Sequence, residues 1–372
     1  MAESAIEWTE QTWNPIVGCS VVSPGCTNCY AMKMAARLER MGQDRYRGLT
    51  QPSKAGPVWT GEMRFVEEAL TLPLRRRKPT TWFVNSMSDL FHESVPDAWI
   101  DRVFAVMALC PQHTFQVLTK RADRMRAYLG QPGEERRARH EAIVAVGRAI
   151  SPEADWSRLA PVGAGRRNVW LGISAEDQRR YDERAGHILS IGWAGPLFVS
   201  AEPLLGPIDL DFRRDHCDLC GGTGMLARWP KGTCHECNGR GSVIINGNPR
   251  CDGYRRFDWV IVGGESGPGA RPMHPDWARQ IRDACAAAGV AFHFKQWGAW
   301  KPAEDWYEKH PVSLILRQFR NGIWQETRHD DDSEYVCLIG KKAAGRLLDG
   351  VEHNGMPEIA RLLAPALTTS EA

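Results

Sequence analysis

The sequence predicts an α/β protein, a parallel (β/α) sheet closed partly or fully into a TIM-like barrel, with a zinc-knuckle insertion. Three observations carry that expectation. Short apolar segments alternate with stretches of helical period along most of the chain. Charged and hydroxyl residues recur at the downstream end of each segment, where a parallel barrel keeps its chemistry. Paired Cys-x-x-Cys units interrupt the pattern between residues 206 and 256.

The segments run Thr81–Asn85, Thr114–Leu118, Asn168–Gly172, Pro196–Ser200, Phe257–Val262 and Val290–Phe294, and a shorter one, Pro15–Gly18, is expected to open the series. Helices fit between them. From Pro96, the residues Trp99, Ile100, Val103, Phe104, Val106 and Met107 share one face, and proline costs nothing in a first helical turn. After His274, Trp277, Ile281, Ala284 and Ala288 keep the same spacing, with Gly289 placed for a left-handed cap. A charged helical excursion is expected within 130–167. An open doubly wound sheet is the rival architecture, but no Gly-x-Gly-x-x-Gly turn supports it.

Composition narrows the function. With 47 Lys+Arg against 45 Asp+Glu the net charge is +2, so nucleic-acid binding by bulk charge is excluded. No apolar run reaches the ~18 residues of a membrane span, and the first residues lack a basic leader, so a cytoplasmic protein with no membrane partner is expected. The 11 cysteines are clustered, which reads as metal ligation rather than a disulfide framework.

Cys19, Cys26 and Cys29 lie six and then two residues apart, in a loop bent by Pro24 and Gly25 just after the first expected segment. Thiolates suit zinc or iron–sulfur clusters. A structural zinc wants four protein ligands, and three cysteines on a [4Fe–4S] cube leave one iron open, as a catalytic cluster requires. Zinc, or a fourth ligand recruited from His92 or Cys285, is the competing reading.

These residues resemble the radical S-adenosylmethionine enzymes, in which three cysteines after the first barrel strand hold such a cluster. More closely, the chain resembles a family of phage and bacterial proteins of unassigned function with this three-cysteine signature. The likeness rests on Trp13-Asn-Pro-Ile-Val-Gly-Cys19, Ser23-Pro-Gly-Cys-Thr-Asn-Cys-Tyr-Ala31, Asn85-Ser-Met-Ser-Asp-Leu-Phe-His92, Gly263-Gly-Glu-Ser-Gly-Pro-Gly-Ala-Arg-Pro272, Phe294-Lys-Gln-Trp-Gly298 and Gly340-Lys-Lys-Ala-Ala-Gly-Arg346. The chain departs from the radical pattern in its six-residue first gap, in Tyr30 following the last cysteine, and in carrying Gly-Gly-Glu on a late segment. The resemblance implies a [4Fe–4S] cluster on Cys19, Cys26 and Cys29, S-adenosylmethionine at its open iron and an electron donor as partner. Ser86, Asp89, Ser174 and Glu176 are then candidate cofactor contacts. Lys120, Glu202, Glu265 and Lys295 are candidate catalytic groups for substrate or protons.

Cys217, Cys220, Cys234 and Cys237 form two copies of Cys-x-x-Cys-x-Gly-x-Gly, resembling half of the zinc region of DnaJ chaperones. Four thiolates close a tetrahedral Zn2+ site, with His216, His235 and Cys251 as competing ligands. The division expected is therefore a barrel over 1–300 containing the 206–256 insertion, and a small C-terminal region, 301–372, packed on it. Arg75-Arg-Arg-Lys78 and the 15 tryptophans, Trp297 and Trp300 above all, are the remaining candidates for a nucleic-acid site, the substrate class preferred here. A non-catalytic zinc-dependent nucleic-acid or protein-binding module is the alternative function, and a hydrolase or transferase without a redox cluster is a third.

Overall fold

A computed structural model describes residues 6–130, 133–154, 167–210, 256–303, 315–327 and 335–357, with Ser4, Trp156 and the backbone of four two-residue strands within 215–243. Its centre is a seven-stranded sheet: β1 (Gln11–Trp13), β2 (Thr81–Val84), β3 (Thr114–Thr119), β4 (Val169–Ser174), β5 (Leu197–Ala201), β6 (Trp259–Gly263) and β7 (Ala291–Gln296). The strands lie side by side in chain order and every pair is parallel. Six of the strands are those the apolar segments predict, to within a few residues at each end.

The opening strand is a correction. Ile16–Val17 within Pro15–Gly18 pairs antiparallel with Arg64–Phe65 outside the main sheet, and the first parallel strand is Gln11–Trp13. Three residues with one apolar side chain give no run to find. What holds them is tertiary: Trp13 is fully buried and its indole N–H donates to the Ala69 carbonyl, 2.8 Å.

The sheet is curled into a half-barrel. Flat, β2 and β6 would stand about 19 Å apart, four strand spacings. Yet the Trp8 ring meets Phe83 of β2 at 4.7 Å and Trp259 of β6 at 6.1 Å. Trp8, from the N-terminal segment, therefore plugs the concave side, packed with Phe83, Trp170, Phe198 and Ile261. The alternate residues of the same strands, such as Trp82, Val84, Phe115, Val117, Leu171, Val199 and Val262, face the helices on the convex side. Among the described residues β1 and β7 do not pair to close a full barrel. The outer edge of β7 instead meets residues 353–355, where Phe294 donates to the His353 carbonyl and Gly355 to the Phe292 carbonyl, each 2.9 Å.

Five helices cover the convex face, α2 (Asp97–Leu109), α3 (Ala122–Leu129), α4 (Glu134–Ile150), α5 (Gln178–Leu189) and α6 (Pro275–Ala288), while α1 (Tyr30–Arg40) packs Ala31, Met32 and Ala35 into a separate cluster with Tyr46, Trp59 and Val66. Pro96 caps α2 as expected, and Gly289 ends α6 at φ 64°. Beyond the sheet, Trp300–Pro302, Leu316–Arg320, Ile323–Thr327 and Val336–Leu338 form a four-stranded antiparallel sheet of their own. The second cysteine group, with its zinc-knuckle expectation on Cys217, Cys220, Cys234 and Cys237, lies outside the described residues.

Candidate functional site: a cysteine loop over the strand ends

Along each strand the inward residues change character toward the C-terminal end. On β4 and beyond they run Trp170, Gly172, Ser174, Glu176; on β6, Trp259, Ile261, Gly263, Glu265. An aromatic floor thus gives way to a polar rim, as a period of two requires once the rim residues share the parity of the floor. Lys120, Ser174, Ser200, Glu202 and Lys295 all belong to this inward set.

The rim groups are linked. Lys120 Nζ donates to Ser174 Oγ (2.5 Å) and stands 3.6 Å from Glu176 Oε2. Ser174 Oγ reaches the Glu202 carbonyl at 3.3 Å, Ser200 Oγ donates to Glu202 Oε2 at 3.1 Å, and Lys295 Nζ pairs with Glu202 Oε1 at 3.0 Å. Gly263 leaves the room that Glu202 needs, since a Cβ there would fall 2.6 Å from Glu202 Oε1.

The loop carrying Cys19, Cys26 and Cys29 lies over these strand ends. All three cysteines are partly exposed and free. Burial first, then Asp89, pushes the Cys19 thiol up to about 12, with the Arg121 cation working the other way and Cys29 and Cys26 adding to the rise. Burial and Cys26 likewise raise Cys29. Beside Cys29, Tyr30 keeps 52% of its surface reachable, yet burial and the charge of Glu202 raise its phenol, whose hydroxyl donates to the Ser86 carbonyl at 2.8 Å. Lys120 on the polar rim works the other way on Cys29, lowering it.

Several expected site residues turn out to hold this loop. Asp89 accepts from Thr119 Oγ1 (2.7 Å) and the Lys120 N–H (3.0 Å) and pairs with Arg121 at 3.1 Å. Arg121, itself 4% exposed, also reaches Ser20 Oγ (2.7 Å) and lies 3.9 Å from Cys19 Sγ. Glu176 is fully buried and accepts from the Gly25 N–H (3.1 Å) and Arg184 (3.0 Å). Burial opposes its charge, but Lys120, Ser23, Arg184 and Gly25 together bring it down to about 2. Glu265 is engaged by three donors of Arg271, at 2.6–2.9 Å, and by Asn28 Nδ2 at 3.0 Å. Ser86 turns its hydroxyl to Asn14 Oδ1, 3.2 Å. Sequence reasoning did not give Arg184, Arg271 or Asn28 a role, nor Asn85 and His293. The last two are 3% exposed, with no hydrogen-bond partner on either polar side-chain atom; a polar residue inside an apolar-run strand was the available signal for His293.

Other candidates separate from the site. Trp297 and Trp300 are buried, their indoles donating to the carbonyls of Leu347 and Ala270 at 2.7 Å, so they brace the C-terminal region. Arg75–Lys78 precedes β2 and so lies at the opposite end of the sheet. Cys285 is fully buried in the helical core on α6, and both ring nitrogens of His92 are occupied, by Ser20 Oγ and the Ser94 N–H. Neither is free to serve as a fourth ligand. Among the described residues no three Cys, His, Asp or Glu are arranged to hold a single metal ion. Zinc would need its sulfurs within about 4 Å of one another. A cube with a metal at each corner takes its thiolates from separate directions, and three soft donors without a fourth fit that group in number and chemistry.

Fold and site together define a parallel α/β half-barrel protein with a thiol-bearing loop over its strand ends. The chain belongs to the family described as "Protein of unknown function (DUF5131)", which it matches over residues 3–357. No curated protein and no solved structure matches it. No helix among the described residues is long and apolar enough to cross a membrane.

Proposed function

We propose that the protein is a radical S-adenosylmethionine-like enzyme, with Cys19, Cys26 and Cys29 holding a [4Fe–4S] cluster over the polar rim. The observation that carries this is the seating of a loop with three partly exposed, free cysteines over the C-terminal ends of a curled parallel sheet, held there by Glu176, Glu265 and Arg271. The chemistry such a cluster supplies when bound is one-electron reductive cleavage of S-adenosylmethionine, the electron coming from a separate donor.

The chain's own residues supply the rest. The aromatic floor of Trp8, Phe83, Trp170, Phe198 and Trp259 excludes water from below. Lys120 Nζ lies 3.6 Å from Glu176 and Lys295 Nζ 3.0 Å from Glu202, so the rim sets paired charges around a bound substrate. Nucleic acid as the substrate now rests on the second cysteine group, which would hold Zn2+, because the basic run is at the far end of the sheet.

Anaerobically reconstituted protein, incubated with dithionite and S-adenosylmethionine, should form 5′-deoxyadenosine, and Cys26→Ala should abolish it while leaving the fold intact. A colourless protein carrying only zinc at both cysteine groups would overturn the reading in favour of a non-catalytic binding module.

A further inference from the structure

The motif Gly263–Pro272 has a place in the fold that its likeness to a cofactor-binding signature does not suggest. Glu265 is 6% exposed, and Arg271 closes on it with its backbone N–H (2.8 Å), Nε (2.9 Å) and Nη2 (2.6 Å). Both partners then turn to the cysteine loop. Arg271 Nη2 donates to the Pro24 carbonyl at 2.9 Å, and Glu265 Oε2 accepts from Asn28 Nδ2 at 3.0 Å. Asn28 bridges on to the Gly269 carbonyl (3.1 Å), and Lys33 reaches the Pro268 carbonyl (3.4 Å). The contacts bracket Cys26, the middle thiol, from two residues before to two residues after. From the other side Glu176 takes the Gly25 N–H, in a space so close that a Cβ on Gly25 would lie 3.1 Å from its carboxyl carbon.

We infer that Glu265, Arg271 and Asn28 are positioning residues, a pin that fixes the Pro24–Cys29 turn above β6 so that Cys26 and Cys29 are already placed before any metal arrives. The inference builds on the proposed cluster site but does not need it, because the pin is made by the protein alone. Glu265 accepts four hydrogen bonds, three at Oε2 and one at Oε1, all from the loop and from Arg271. Arg271 is needed as arginine: its planar fork serves the carboxylate and the Pro24 carbonyl together, which a single ammonium cannot do. Preorganisation of this kind is what a metal site requires of the shell around its ligands.

Hydrogen exchange of the metal-free, full-length chain tests it, read by mass spectrometry on peptides covering residues 20–29. Arg271→Lys and Asn28→Ala should each speed exchange there by about ten-fold or more, with peptides from β3 to β5 unchanged. Asn28→Ala removes the loop's half of the pin while leaving the Glu265–Arg271 pair intact, so it holds even where Glu265→Gln fails to fold. After anaerobic iron loading, both variants should retain less than half the iron of the parent on gel filtration, and the electron paramagnetic resonance of the reduced chain should broaden. Exchange within two-fold of the parent in both variants would overturn the pin. A parent that takes up no iron would instead sink the cluster proposal, with the exchange result still deciding the pin.

Discussion

Glu176→Gln is the sharpest perturbation this fold offers, because it exchanges one atom in a fully enclosed ion pair. Its carboxylate has no exposed surface, and Arg184, its 3.0 Å partner, is 7% exposed on its side chain. The amide keeps the shape and can still accept from the Gly25 N–H, so the change isolates charge. Two routes give its size. The fall of the Glu176 pKa from 4.5 to about 2 corresponds to roughly 3 kcal/mol at neutral pH. Breaking a buried pair by removing one partner costs about 3–5 kcal/mol. The routes agree near the lower figure.

The pH dependence follows from the direction of that shift. A carboxylate held lower in the folded chain than in the unfolded one stabilises fully above about 4.5, and the benefit is lost as pH falls through about 2. Urea unfolding of the metal-free protein, followed by tryptophan fluorescence, should therefore put Glu176→Gln about 3 kcal/mol below the parent at pH 7. The gap should shrink to roughly half by about pH 3, where the parent has begun to protonate. A gap under about 1 kcal/mol at neutral pH, or one that stays constant between about pH 5 and 3, would refute the assignment of Glu176 as a charged clamp.

Further outcomes follow from single contacts. His293 is buried and held down to about 4 by that burial, so its share of stability is complete above about 6.5 and lost as pH falls through about 4; His293→Leu should flatten the unfolding free energy across that window. A Cβ at Gly172 would lie 2.3 Å from the Phe198 ring, so Gly172→Ala should destabilise by about 1–3 kcal/mol in urea with no loss of iron uptake per folded chain. Arg121→Met leaves Asp89, 5% exposed, without its cation and should cost about 3–5 kcal/mol, and it should also make the iron-loaded chain harder to reduce in a redox titration, because a positive charge near Cys19 is gone.

The strands were legible where the chain spells them as apolar runs, and β2 to β7 are such runs. β1 was not, because Gln11-Thr-Trp13 owes its strand to one neighbour, while the more apolar Ile16–Val17 drew the eye and pairs elsewhere. Glu176 and Glu265 were legible as functional-end carboxylates, since acid residues stand where turn formers would have sufficed. Their partners were not. The cation for one is Arg184 on α5, and the loop amide it also holds is 151 residues away in sequence. Trp297 and Trp300 looked like site residues from their place beyond the last strand, and only the distant carbonyls of Leu347 and Ala270 show them to be braces.

The alternation within each strand then decides where chemistry can occur. A side chain facing inward near the N-terminal end of β2, β5 or β6 meets Trp8 at ring distances of 4.7–6.5 Å, with no room or dielectric for a charge. Two or four residues later the same inward direction meets Lys120, Glu202 and Lys295, where each charge has a counter-charge within 3.6 Å. The charged groups therefore collect at the C-terminal end of the sheet, and the cysteine loop lies over that end. Groups at the other end, Arg75–Lys78 among them, are separated from it by the aromatic floor. A ligand that binds there is on the far side of that floor, whereas one held by the cysteine loop sits directly over the polar rim.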